Sequence, residues 1–442
     1  MFTDANGRVL RFSREPADLN DAQRLRGRAI LPGLVNAHSH AFQRLIRGRT
    51  EHRTAAQRDS FWTWRQAMYC AANLISPEDL YVAARMAFLE MLLGGITTVG
   101  EFHYIHHGPG GVPYANRNQM ALELIRATEQ TGLRIALLRT AYVRAGHAKP
   151  ADPVQARFIT PDVSDFISDT DALRSAIRNI SGKAWVGVAP HSIRAVPLSY
   201  LGDVFHYARE KQMPIHMHIA EQPAEVSESI EEHGLPPVAL LHEHGLLDDR
   251  FTGIHAIHIT DGEIGYLAHA RATACACPTT ERNLGDGIAP ADRWSDAGLS
   301  FCYGSDSNVQ IDLLEDARSL EYNLRSQRLE RVVLARESSE EALAKRLFTA
   351  ATETGAFSLG APSGALEVGR PADFFTVDLN DPSIAGATQD SLLSHIVFSM
   401  QRTAIRDVCI AGEFVIRDGR HALQEEIVQD FSRIQRNLWN QP

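Results

Sequence analysis

The 442-residue chain has no apolar run near the roughly 20 residues that a membrane-spanning helix needs. Its first residues, Met1-Phe-Thr-Asp-Ala-Asn-Gly-Arg8, lack a basic region followed by an apolar stretch, so no secretory signal is expected and the cytoplasm is the expected compartment. Cysteine is scarce and odd in number. Cys70, Cys275, Cys277, Cys302 and Cys409 lie mostly in apolar, strand-like surroundings, which argues against a disulfide framework and predicts reduced, mainly buried thiols. Cys275 and Cys277 are one residue apart, tighter than the usual spacing of zinc knuckles, and read as core packing. Basic charge is short too, 44 Lys and Arg against 54 Asp and Glu, and the net charge of −10 argues against a nucleic-acid footprint. No repeat or low-complexity tract stands out. What remains, 44% hydrophobic and 22% charged, has the balance of a globular protein long enough for one large domain and a smaller one.

Strand and helix patterns alternate along most of that length. Residues 1 to 30 are polar and turn-rich, with Asn6-Gly7 a hairpin turn. The first strong strand runs from Leu31 and ends in His38-Ser39-His40. A helix opens at Ser76-Pro77-Glu78-Asp79, where serine caps, proline takes the first position and acids oppose the dipole, and it stops at Gly94-Gly95. Ile96 to Phe102 reads as strand, 116 to 131 as helix, and Leu133 to Thr140 as strand. Ala184 to Pro190 and Met213 to Ala220 flank a helix at 198 to 211. Phe251 to Ile259 precedes a capping box at Thr260-Asp-Gly-Glu263, and Thr273 to Pro278 and Leu299 to Gly304 complete the set of eight strands. Eight strands alternating with helices predict an α/β fold, a parallel (β/α)8 TIM barrel over residues 31–362. Past 363 the pattern turns to short alternating strands and Gly turns. Residues 1–30 and 363–442 are therefore expected to form a small β-sandwich-like composite domain beside the barrel.

Barrel enzymes gather their chemistry at the carboxyl ends of the strands. There the first strand offers His38 and His40, which at i and i+2 face the same side and can grip one ion. The fifth reads Ile215-His216-Met217-His218-Ile219-Ala220-Glu221, the sixth carries His255 with His258 facing the other way, and the eighth ends Gly304-Ser305-Asp306. Three histidines and an aspartate complete a single-metal site with room for water; spacing alone leaves His216 and His218 equal candidates.

The motifs His38-Ser-His-Ala-Phe-Gln-Arg44, Ser60-Phe-Trp-Thr-Trp-Arg65, Glu101-Phe-His-Tyr104, His191-Ser-Ile-Arg194, His218-Ile-Ala-Glu221 and Gly304-Ser-Asp-Ser307 span most of the barrel. Together they resemble the amidohydrolase superfamily, in its mononuclear-zinc branch, and most closely its formimidoylglutamate deiminases. The resemblance implies one zinc or similar divalent metal held by His38, His40, His218 and Asp306, since the family's His-x-x-Glu selects His218 over His216. A binuclear variant needs a lysine at the end of strand four, whereas Lys183 stands at that strand's start.

The implied reaction is hydrolysis of N-formimidoyl-L-glutamate to N-formyl-L-glutamate and ammonia, in histidine degradation. Zinc brings a bound water's pKa towards about 7. Asp306 and His255 are expected to orient the nucleophile, and Glu221, otherwise simply an acid at a helix start, to shuttle the proton to the departing nitrogen. The two substrate carboxylates call for arginines, Arg194 first and Arg65 second; by resemblance Arg65 could reach a neighbouring subunit's pocket, which implies a homodimer. Gln43, Tyr104 and His191 are further binding candidates, with structural roles as the plainer alternative. Trp62 and Trp64 read as anchors of the loop presenting Arg65, and His103, His106 and His107 as part of a solvated loop. The segment before Leu31 is shorter than the family pattern, which puts the first strands of the small domain in question. The rival reading within the class is a deaminase of a ring substrate such as guanine or an adenosine derivative, a site that would favour stacking and amide recognition over two arginines. A non-catalytic barrel is the reading from another class, and the full ligand set with Glu221 argues against it.

Overall fold

In a computed structural model, residues 1–20, 22–56, 59–149, 152–178 and 182–439 are described. The eight alternating patterns become β1 (Leu34–Ser39), β2 (Ile96–His103), β3 (Arg134–Ala141), β4 (Ala184–Pro190), β5 (Ile215–Ile219), β6 (Phe251–His255), β7 (Thr273–Ala276) and β8 (Ser300–Tyr303). They pair in sequence order, every neighbour parallel. The ring is closed just beyond β8, where Ser39 bridges Asp306, the His40 N–H donates to the Asp306 carbonyl at 2.9 Å and the Asp306 N–H to the His38 carbonyl at 3.0 Å. Barrel closure and the first metal motif are thus one feature.

The helix starts follow their capping chemistry. Ser76 Oγ accepts the Asp79 N–H at 3.1 Å while Asp79 accepts the Ser76 N–H at 2.9 Å, opening helix Pro77–Leu93. Thr260 and Glu263 form the same reciprocal box at helix Asp261–His269. β6 is shorter than the alternation suggested. Left-handed backbone at His255 (φ 70°) and Ala256 (φ 46°) ends the strand and turns the chain inward. At the opposite mouth, helix Gly355–Leu359 lies under the strands: Trp185 Nε1 donates to the Leu359 carbonyl at 2.7 Å, and His216 Nε2 bonds the Ser358 carbonyl at 2.8 Å.

The terminal segments meet in a five-stranded antiparallel sheet in the order Arg420–His421, Glu413–Arg417, Ile405–Ile410, Phe374–Asp378, Arg28–Pro32. Arg28 locks it through ion pairs to Asp407 and Asp418, and a buried pair between Arg134 and Asp373 at 2.6 Å ties it to β3. Strands Phe2–Thr3 and Val9–Arg11 form the expected hairpin; Gly7 has φ 71°, and a Cβ there would stand 1.6 Å from the Ala411 carbonyl oxygen.

The carboxyl-terminal stretch is not wholly β. Helix Gln424–Trp439 buries Ile427, Phe431 and Ile434 at i, i+4 and i+7, and Arg85 of helix Pro77–Leu93 grips its Glu426 at 2.6 Å and Asp430 at 3.2 Å. Among the described residues no helix is long and apolar enough to cross a membrane. All five cysteines are free, four of them buried and Cys70 exposed.

Candidate metal centre and substrate pocket

Four side chains from three strand ends converge at the carboxyl mouth. Nε2 of His218 lies 3.2 Å from Nε2 of His38 and 3.4 Å from Nε2 of His40, and Asp306 Oδ1 is 3.2 Å and 3.3 Å from the latter two. All four residues are buried. His40 Nδ1 bonds the Phe102 carbonyl at 2.8 Å and His218 Nδ1 the His191 carbonyl at 3.2 Å, which puts those N–H groups on Nδ1 and leaves Nε2 bare. Bare nitrogens and a carboxylate oxygen pointing at one another repel unless a cation lies among them. Ligands about 2.0–2.1 Å from a tetrahedral zinc stand about 3.4 Å apart, so the donor set fits a divalent metal. His216 is committed to the barrel floor through Ser358, and Lys183 pairs with Glu413 of the small sheet at 3.3 Å, away from this mouth.

Beside the cluster, His255 Nε2 lies 3.7 Å from Glu221 Oε1 and 3.9 Å from Asp306 Oδ2. Non-glycine residues in left-handed backbone concentrate here, at Ala220, His255, Ala256 and Asp306, each a strained turn that the surrounding fold holds. Burial works against charge on His255, but Glu221, Glu281 and Asp306 outweigh it and push its pKa up to about 10. Burial, with Asp306 adding to it, raises Glu221 above the usual carboxylate range despite His255 and two nearby arginines. Asp306, though buried, is held well below the usual range by its bonds to His38 and His40.

A pocket opens from the cluster, lined by Gln43, Tyr104, His191 and Glu221 together with Arg65 and Arg194. Arg65 lies in its own chain's pocket and not on a loop. It belongs to helix Phe61–Leu74, which Ser60 caps through the Trp62 N–H. Trp62 and Trp64 form the first turn of that helix, with the Trp62 ring 5.5 Å from the Arg65 guanidinium and 5.9 Å from that of Arg194. Arg194 is only 7% exposed, and its Nε and Nη1 have no hydrogen-bond partner among the described residues. A buried guanidinium left open in this way has donors free to accept an anion. Gln43 Nε2 donates to the Tyr104 hydroxyl at 2.9 Å, and the His191 ring packs on His218 with centroids 4.8 Å apart.

Residue-by-residue reading of the chain missed part of this wall. Tyr69, Tyr142 and Phe158 also line the pocket. Tyr142 accepts from Arg65 Nη2 at 3.2 Å, and Gln155 Nε2 donates to the hydroxyls of Tyr69 and Tyr142, both at 2.7 Å. They stand in helix and loop sequence with no motif around them; only the i+4 spacing of Tyr69 from Arg65 gave a signal. His103, His106 and His107 are buried, contrary to a solvated loop. His106 bonds the Thr140 carbonyl at 2.8 Å and lies 3.3 Å from Arg139, itself paired with Asp169 at 3.0 Å, while His107 bonds the Ile159 carbonyl at 2.9 Å. A polar network behind β2 and β3 absorbs His106 and His107, and His103 packs edge-on against the His106 ring with centroids 5.3 Å apart.

Residues 29–415 match the amidohydrolase family. The chain belongs to it. With that membership it is a hydrolase acting on carbon–nitrogen bonds. The chain is 38% identical over 427 residues to a formimidoylglutamate deiminase of Pseudomonas aeruginosa, covering 96% of this chain and 93% of that protein, which bears out the resemblance carried by the motifs. It is 28% identical over 395 residues to a 5-methylthioadenosine/S-adenosylhomocysteine deaminase of Natronomonas pharaonis, covering 89% and 82%. Among solved structures, an amidohydrolase from Brucella melitensis superposes with a TM-score of 0.87 at 36% identity, covering 92% of this chain and 89% of that one. An adenosine deaminase from Xanthomonas campestris with bound zinc has a TM-score of 0.82 at 23% identity, covering 99% and 93%, a likeness of fold.

Proposed function

We propose that this amidohydrolase deiminates N-formimidoyl-L-glutamate to N-formyl-L-glutamate and ammonia, as a step of histidine degradation, with one zinc per chain. The observation that carries the reading is the pairing of Arg65 and Arg194 in one pocket with the His–Asp cluster and Glu221. A linear substrate with an amidine at one end and two carboxylates matches a pocket with a metal at one end and two guanidiniums at the other.

A divalent cation in the donor set supplies a Lewis acid that makes water nucleophilic near neutral pH. His255 and Asp306 orient the attacking water, and Glu221 takes its proton. The water oxygen bonds to the formimino carbon. Glu221 then delivers that proton to the terminal nitrogen of the adduct formed from the protonated amidine and takes up the hydroxyl proton as the C–N bond breaks, so that ammonia leaves and the carbonyl of the N-formyl amide forms. Arg194 and Arg65 hold the carboxylates, while Gln43, Tyr104 and His191 hold the amidine or a carboxylate by hydrogen bonds.

The Natronomonas relative acts on an adenosine derivative by name, so the ring-substrate reading is tested alongside. Two arginines, one with unpartnered buried nitrogens, disfavour a neutral purine. Purified protein is expected to carry about one metal per chain and to release ammonia from N-formimidoyl-L-glutamate and not from guanine or 5-methylthioadenosine; the reverse preference in metal-loaded protein would sink the assignment. We further read the enzyme as cytoplasmic and as a homodimer; sedimentation of the purified protein at twice the 48.9 kDa chain mass is the expected result for the dimer.

A further inference from the structure

Behind His255 stands a carboxylate that the reaction as written does not use. Glu281 lies in helix Pro278–Leu284, immediately after β7. Its Oε1 is 3.2 Å from His255 Nδ1 and accepts the Cys277 N–H at 2.8 Å, so one buried oxygen joins the end of β6 to the end of β7. On the other side of the ring, His255 Nε2 is buried and has no hydrogen-bond partner among the described residues. Its nearest polar neighbours, Glu221 and Asp306, stand beyond hydrogen-bond reach on two sides of it.

We propose that Glu281 is the positioning residue of His255: by accepting the Nδ1 N–H it fixes the ring's rotation, and so keeps Nε2 directed at the reacting water between Glu221 and Asp306. Among the described residues the His255 imidazole has no other tether at Nδ1. Without the carboxylate the ring is free to turn. The backbone bond to Cys277 matters for the same reason, because it prevents the carboxylate from following the ring. Glu281 does not line the pocket and acts through His255 alone.

The inference rests on the deiminase reading for its kinetic arm only. In metal-loaded protein, side-chain nitrogen NMR, with the His255 signals identified by their loss in His255→Asn, is expected to show a hydrogen-bonded Nδ1–H in the parent and a changed Nδ1 signal in Glu281→Ala. A His255 spectrum unaffected by Glu281→Ala overturns the proposal. With N-formimidoyl-L-glutamate, Glu281→Ala is expected to lower kcat about 10- to 100-fold with KM and metal content unchanged, and Glu281→Gln, which keeps an acceptor oxygen, to restore most of the loss. In the His255→Asn background the same Glu281→Ala change should cost less than about threefold, because its route of action has gone. An equal loss in both backgrounds indicates a purely structural role and refutes the inference. If Glu281→Ala does not fold, Glu281→Asp, which withdraws the same carboxylate by one methylene, takes its place in every arm. A parent protein inert on N-formimidoyl-L-glutamate removes the function assignment, and the NMR arm still decides the role of Glu281.

Discussion

The two ends of the pocket are built by different means. At the metal end, His38, His40, His218 and Asp306 are fixed by strand alternation and by the backbone bonds that close the barrel between Ser39 and Asp306. At the far end, Arg65 comes from a helix, Arg194 from the loop after β4, and Tyr142 and Gln155 from sequence beyond β3. These are held to one another by a shared indole and by hydroxyl bonds. On the proposed reading, chemistry rests on the strands of the barrel and recognition on the elements laid across them, the division that lets one fold serve many substrates.

Breaking the metal end should have the largest effect. His218→Ala removes one of four ligands, and protein purified without added metal is expected to contain well under one metal per chain and to lack turnover; full metal content would remove His218 from the ligand set. Next comes Glu221→Gln, which should keep the metal and lower kcat about 100- to 10,000-fold, the usual worth of a proton shuttle. Retention of parent rates would leave the proton to another group. The recognition end should respond differently. Arg194→Met is expected to raise KM about 10- to 100-fold with a smaller change in kcat, as loss of a charge-assisted bond of about 1.5–3 kcal/mol requires. A change confined to kcat would blur the division between the two ends.

The smallest effect concerns Glu225, buried just behind Glu221 and accepting the Ala220 N–H at 3.1 Å. Burial, opposed by Arg194, pushes its pKa up to about 7. The folded state therefore favours its protonated form, a stabilisation complete below the ordinary value of 4.5 and lost as pH rises through 7. Thermal melts of Glu225→Gln and the parent should coincide near pH 4.5 and separate towards pH 8, the glutamine variant becoming more stable by up to a few kcal/mol. Curves that run parallel would place the titration elsewhere.

Much of the barrel was legible because its signals are local. Caps at Ser76 and Thr260 define helix starts by their own hydrogen bonds, and two histidines at i and i+2 on a strand end share a face whatever surrounds them. His216 and His218 also share a face, and only depth in the barrel separates floor from ligand. Other features depend on what packs against them. His106 is buried against Arg139, itself paired with Asp169, and His107 against the Ile159 carbonyl, contacts that no local pattern announces. The final helix showed its i, i+4, i+7 face in Ile427, Phe431 and Ile434, but short strands before it masked that period.

By itself the sequence determined the order of strands and helices, the donor types at the strand ends and the presence of two arginines in recognisable motifs. These are consequences of backbone periodicity and side-chain chemistry, which act over a few residues. Tertiary structure alone decided that Arg65 turns into its own chain's pocket, that Tyr69, Tyr142 and Gln155 complete the wall, and that Glu281 stands behind His255. Each of those depends on a distance of a few ångströms between segments far apart in the chain, set when the barrel closes and the helices settle on it.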